Sequence, residues 1–235
     1  MRGDSIDPDQ DRTGHAYERL RDLIVKGLLA PGSRIIESDV AERLGVSRTP
    51  IRAALQRLEQ EGYIRNEANG QRWRPVVAPL TKEDADELLH LIAQLEGLAA
   101  RRAALLDQDP HRELIARLRA LNQALLDQTA GDVRDPNQYY QLDSRFHRAY
   151  VDAAAGPRLL ALLDAIKPQA ERYVRTYVTV LPDKIETSFQ EHCAIIEAIE
   201  ARDPDDAQAG VEANFRGAAE RFGRVIDQIG ERGAW

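Results

Sequence analysis

A single cysteine, Cys193, occurs among the 235 residues. No intrachain disulfide is therefore possible, and a reducing, cytoplasmic setting fits. No stretch approaches about 18 uncharged apolar residues, so no membrane-spanning helix is expected. The first twelve residues are polar and acid-rich. They lack the apolar run of a signal peptide and predict a disordered tail over 1–12. What is present is an ordinary globular mix, 43% hydrophobic and 30% charged, long enough for two modest domains.

The net charge of −7 is unevenly spread. Residues 13–80 carry 11 Lys/Arg against 8 Asp/Glu, whereas residues 81–235 carry 19 against 27. A basic surplus ahead of an acidic remainder predicts two domains with different work, the first being where a polyanion would be met.

Leu20, Leu23, Ile24 and Leu28 fall at helical spacing between His15 and about Leu29, and Pro31-Gly32 stops the run. Ser38 to Leu44 predicts a short helix broken by Gly45. Ser47 is a suitable N-cap for a third helix, which tolerates Pro50 in its first turn and ends near Gly62. Two extended runs follow, Tyr63–Arg65 and Trp73–Val77, joined through Asn69-Gly70, a hairpin-turn signal. Pro75 to Pro79 has the look of a linker. Beyond it no strand pattern occurs. Helices are predicted over 82–107, 110–130, 136–154, 157–180, 183–201 and 204–229, with Pro110, Pro136, Pro157, Pro182 and Pro204 at or near five of the starts. Pro168 predicts a kink in the fourth. The expected fold class is mostly α: an N-terminal winged helix-turn-helix over 13–78, a linker at 79–81 and an all-helical antiparallel bundle over 82–230.

Val40 to Gln60 has the physics of a helix-turn-helix. Its second helix would bury Ile51, Leu55 and Leu58 and show Arg48, Thr49, Arg52 and Gln56 on the other face. Arginines four apart in the N-terminal half of such a helix can donate paired bonds to guanine O6 and N7 in a major groove. Ser47 and Thr49 can meet phosphate at the positive helix N-terminus. The loop Asn69-Gly70-Gln71-Arg72 would reach a minor groove or the flanking backbone. Spacing alone leaves open an amphipathic helix with solvated arginines.

The strings Leu29-Ala30-Pro31-Gly32-Ser33-Arg34-Ile35 and Leu44-Gly45-Val46-Ser47-Arg48-Thr49-Pro50-Ile51-Arg52-Ala53-Ala54-Leu55, with Leu58 and Glu61-Gly62, resemble the signature of the GntR family of transcription regulators. The resemblance spans about residues 15–78. It implies DNA contacts at Arg48, Thr49 and Arg52, and at Gly70 on the wing, with Arg72 beside it. Some members carry an arginine where this chain has Ser38, and Arg34 could supply that backbone contact.

In the second domain, Asp143 and His147 share one helix face, flanked by Tyr139, Phe146 and Tyr150. His192 lies between Phe189 and Ile196, and Asn214 between Val211 and Ala218, both on inward sides. Buried polar groups need partners, and a metal ion or a bound anion would supply one. A surface ion pair at Asp143/His147 and a backbone-bonded His192 remain the plain alternatives. His15, His90 and His111 are read as surface residues. Arg172 and Arg175, three apart, could clamp a carboxylate or simply lie on the surface.

Residues 82–230 also resemble the ligand-binding domain of the FadR branch of that family, through Leu95-Glu96, Ala99-Ala100, Asp143-x3-His147, Glu191-His192, Ile195, Ala198-Ile199 and the alanine-rich last helix. Six helices suggest the shorter, VanR-like subtype. The resemblance implies a divalent metal, zinc or nickel, on Asp143, His147 and His192, weakened because Asn214 stands where a further histidine is usual; Asn214 would ligate weakly, act through water or bond the effector directly. The implied protein is a homodimeric repressor or activator, outside any membrane, that binds double-stranded operator DNA and a small-molecule effector with a carboxylate. A metal-only sensor and a metal-dependent hydrolase are the alternatives; the hydrolase lacks a general base and leaves the DNA-reading segment without a use.

Overall fold

A computed structural model describes residues 8–67, 73–127, 136–177 and 185–233. The chain divides into two units, residues 1–81 with 231–235, and residues 82–230. It is mostly helical, as expected.

The first unit holds α1 (Pro8–Val25), α2 (Glu37–Leu44), α3 (Arg48–Gln60), β1 (Ile64–Asn66) and β2 (Pro75–Val77). Of the tail expected over 1–12, residues 8–12 are the opening of α1, because proline in a first turn gives up no intrahelical bond; residues 1–7 lie outside the described residues. α1 ends at Val25 rather than Leu29, since the chain turns at Gly27 with φ +69°, and Leu28 is left exposed. Gly45 closes α2 in the left-handed conformation, its N–H donating to Ala41 and Glu42 carbonyls, a role for which glycine carries no Cβ penalty. Ile51, Leu55 and Leu58 of α3 are fully buried with Leu20 and Ile24 of α1.

β1 pairs antiparallel with β2 in the register Ile64↔Val77 and Asn66↔Pro75. Pro75 to Pro79 is thus not a free linker. Pro75–Val77 is a strand, and Leu80 continues the pairing by exchanging backbone bonds of 2.8 and 3.1 Å with Arg232. Residues 32–35 line the other edge of β2, where Gly32 N–H donates to the Val77 carbonyl. β2 is thus paired on both sides, with Pro75 as its first residue, where a strand tolerates proline. Gly32 has φ +75°, and a Cβ there would lie 2.6 Å from Gly233 Cα. Gly32→Ala should therefore destabilise this unit by about 1–2 kcal/mol from backbone strain alone. Thermal unfolding checks this, and an unchanged Tm would show that Gly32 does not hold the left-handed conformation.

The second unit contains α4 (Lys82–Ala103), α5 (Gln108–Asp127), α6 (Pro136–Ala154), α7 (Pro157–Tyr177), α8 (Ile185–Glu200) and α9 (Pro204–Ile229). α7 runs on through Pro168. Asp203 caps α9, its carboxylate accepting from the N–H groups of Asp205 and Asp206. α4 packs along α9, α7 and α6, and its small residues Ala99, Ala100 and Ala103 are buried against Phe146, Tyr150 and Val211. His111 departs from its expected surface position. It is buried, and Nε2 donates to the Ile199 carbonyl at 2.8 Å, tying α5 to the end of α8. Among the described residues no helix is long and apolar enough to cross a membrane.

Candidate metal centre and nucleic-acid interface

The buried stripe of α3 fixes which residues face outward. Ser47, Arg48, Thr49, Arg52 and Gln56 are all exposed. Ser47 occupies the N-cap position in extended backbone, but its hydroxyl makes no capping bond. The first N–H groups of α3 are therefore not covered by that side chain, and helix-start N–H groups of this kind suit an anion. Arg48 has no partner among the described residues. Arg52 does: Glu37 of α2 accepts from its Nε at 3.1 Å and from Nη2 at 2.9 Å. Arg34 is exposed beside β2 and lines an open polar groove with Arg52, Gln56, Asn66 and Arg74. Trp73 joins the base of the wing to α3 by donating from Nε1 to Glu59 at 2.9 Å. Gly70 and Arg72 lie outside the described residues.

In the second unit, α6 and α8 bring Asp143, His147 and His192 together, with one ligand atom from each within 4.8 Å of the others. His192 is 0% exposed. Its Nδ1 lies 3.2 Å from Asn122 Oδ1, which fixes Nδ1 as the protonated nitrogen. Nε2, 3.6 Å from Asp143 Oδ1, is a buried atom without a hydrogen-bond partner among the described residues. Burial, with His147 and Arg221 nearby, pushes the His192 imidazole well below its usual pKa, so it is held neutral. Phe146 stacks flat on the ring, centroids 3.8 Å apart. His147 turns Nδ1 to Glu96 Oε2 at 2.9 Å and to the Tyr150 hydroxyl at 2.8 Å, which leaves the lone pair of Nε2 for a ligand.

Glu96 is fully buried and organises this side of the site. Lys167 donates to Oε1 and the Tyr150 hydroxyl to Oε2, each at 2.5 Å. Burial opposes its ionisation, yet Lys167 and His147 together hold the carboxyl well below the usual range. Burial pushes the Asp143 carboxyl up, so a cation there would compete with a proton. Two imidazoles and one carboxylate, each histidine oriented by an outer partner, form a borderline-soft donor set that fits a divalent ion such as zinc or nickel.

A cavity of about 100 Å³ adjoins the triad, lined in part by Tyr139, Tyr140, Asp143, His147, Asn214 and Arg221. The Asn214 amide nitrogen donates to Glu191 Oε2 at 2.8 Å, and Arg221 grips the same carboxylate at 2.7 and 3.0 Å. Arg172 is buried, Arg175 pairs with Glu171 at 2.6 Å, and neither is among the described lining residues.

Sequence reasoning had missed Glu96, Asn122, Glu191 and Arg221 as site residues. Two were findable. Glu96 stands at inward spacing from Ile92, Ala93, Ala99 and Ala100, and Asn122 from Leu118 and Leu125. A polar residue on such a stripe needs a buried partner.

Residues 12–70 match the family described as bacterial regulatory proteins, gntR family, and residues 87–217 match the FCD domain. The chain is 27% identical over 213 residues to the uncharacterized HTH-type transcriptional regulator YdhC of Bacillus subtilis (strain 168), covering 90% of this chain and 91% of that one. It is 26% identical over 200 residues to the gluconate operon transcriptional repressor of Bacillus licheniformis, covering 83% and 79%. Among solved structures, that of E. coli McbR/YncC matches with a TM-score of 0.67 at 21% identity, over 92% of this chain and 98% of the other, a likeness of fold.

Proposed function

We propose, on the premise that this chain belongs to the GntR family of bacterial regulatory proteins and carries an FCD domain, that it acts as a homodimer whose DNA affinity is set by a small organic acid bound with a divalent cation. It is a DNA-binding transcription regulator, and its relatives are regulators rather than enzymes, which removes the hydrolase alternative.

The N-terminal unit is assigned to DNA and the C-terminal unit to the effector. Arg48 reads base edges, Thr49 and Ser47 meet phosphate at the start of α3, and Arg34, Arg52, Gln56, Gly70 and Arg72 serve the backbone and flanking groove. Two recognition helices in a twofold dimer suit an inverted-repeat operator. A relative named for repressing a gluconate operon supports repression, and supports control by an organic acid.

The observation that carries the sensing half is His192 Nε2, buried and unpartnered beside Asp143 and His147. Those three residues would hold the cation, which supplies a Lewis-acid anchor for an acid's carboxylate. A cavity next to the triad favours an acid sensor over a metal-only sensor. The test is elemental analysis and titration of chelator-stripped full-length protein with zinc or nickel. About one equivalent per chain is expected for wild type and none for His192→Ala. Equal uptake by both proteins would refute the site.

A further inference from the structure

The chain passes between its two units twice, at Thr81–Lys82 and at Gly230–Glu231. The two passages are tied to one another. Within the second unit, Lys82 Nζ donates to Asp227 Oδ2 at 2.6 Å. Within the first, Leu80 N–H donates to the Arg232 carbonyl at 2.8 Å, and Arg232 N–H to the Leu80 carbonyl at 3.1 Å. Residues 80–82 and 227–232 therefore close a small ring where a single linker would be an open chain. The ion pair is exposed on both partners and contributes little, so the Leu80–Arg232 bridge carries the closure.

The path of the second passage is closely specified. Gly230 leaves α9 at φ 84° and ψ 161°, a region open to glycine alone. Its N–H donates to the Ile226 carbonyl at 2.8 Å, and its own carbonyl accepts from the buried Tyr177 hydroxyl at 3.3 Å. Gly233 has φ +74°, and a Cβ on it would run into the backbone of Pro31 and Gly32. Gly32 in turn is bonded to Val77 of β2. Glu231 and Arg232 are exposed, so burial of their side chains does little to hold the segment. Backbone bonds and a glycine at each turn hold it, which fixes its course rather than adding to a core.

We propose that residues 230–233 are a strap that sets which half-site spacing the dimer accepts. The proposal rests on the homodimer reading above. In a twofold dimer each first unit carries one recognition helix, and the half-sites must match the separation of the two helices. A three-residue linker alone keeps many backbone torsions open, so the same half-sites would be bound at several spacings. Closing a short ring through Arg232 removes much of that freedom. Arg48 and its neighbours choose the half-site, and the strap chooses the separation.

The test is selection from a random duplex library by the full-length protein and by a chain ended after Gly230, followed by fluorescence anisotropy on the selected sites. Full-length protein should return inverted repeats of one spacing. Two base pairs inserted between the half-sites add about 7 Å and should weaken its binding by at least about tenfold. The shortened chain should return the same half-site at several spacings and bind both duplexes alike. Arg232→Pro keeps the tail but removes the N–H given to Leu80, and should broaden the spacing in the same way. It carries the comparison if the shortened chain does not fold. One spacing kept by the variant, or no single spacing for full-length protein, overturns the strap and leaves the dimer standing. Single half-sites without an inverted repeat overturn the dimer reading and the strap with it.

Discussion

Arg48→Ala should reduce operator affinity more than any other single change on α3. A bidentate arginine–guanine contact is worth about 1–3 kcal/mol of discrimination, and a twofold dimer loses it at both half-sites. The expected fall is roughly 30-fold to 10⁴-fold, with selectivity for the inverted repeat over unrelated DNA lost in step. Arg52→Ala should cost less, although sequence spacing makes the two arginines equivalent. Nε and Nη2 of Arg52 are committed to Glu37, whereas Arg48 has no partner among the described residues. Fluorescence anisotropy on labelled operator, at fixed salt, measures both. A larger loss from Arg52→Ala than from Arg48→Ala would reverse the assignment and make Glu37 a partner that releases Arg52 on binding.

Glu96 carries the second large effect. Glu96→Ala would strand the Lys167 ammonium beside an apolar gap and leave the Tyr150 hydroxyl and His147 Nδ1 only each other. Breaking a buried pair from one side costs about 3–5 kcal/mol, enough to lower Tm by many degrees. Glu96→Gln separates stability from ligation. It preserves volume and one acceptor oxygen, so the protein should fold, but the partner that orients His147 is weakened. Losses of about 10–100-fold in cation affinity accompany such outer-partner changes. Calorimetry and zinc titration of the two variants check this, and wild-type behaviour of Glu96→Gln in both would show that His147 does not depend on Glu96.

Much of the architecture is legible in the sequence, for local reasons. Pro136, Pro157 and Pro204 announce α6, α7 and α9 because proline is favoured in a first turn. Gly45 marks the turn between α2 and α3 because few residues accept the left-handed backbone needed there, and Ser47 stands at the N-cap position of α3. Local signals also mislead. Pro75 and Pro79 suggest a linker, yet β2 is held between β1 and residues 32–35, and Arg232 pairs with Leu80 just beyond it. The sequence around His111 resembles a solvated first turn, and only the arrival of Ile199 from 88 residues away buries it.

The candidate site divides the same way. Asp143 and His147 are one turn apart, so helical periodicity finds them. His192 and Asn214 are recognisable as polar residues on apolar stripes. Arg172 and Arg175 drew attention as neighbours in sequence, whereas the arginine on the cavity wall is Arg221, two turns beyond Asn214 on α9 and joined to it through Glu191 of α8. No single-helix pattern contains a three-residue assembly shared by two helices.

Operator affinity of the full-length protein, measured with and without zinc plus pyruvate, tests the central claim most directly. The affinity of wild type should shift by at least about fivefold, and that of His192→Ala should not move. An unchanged wild-type affinity, with zinc and pyruvate both shown by calorimetry to be bound, would contradict control of the winged helix-turn-helix by the FCD cavity.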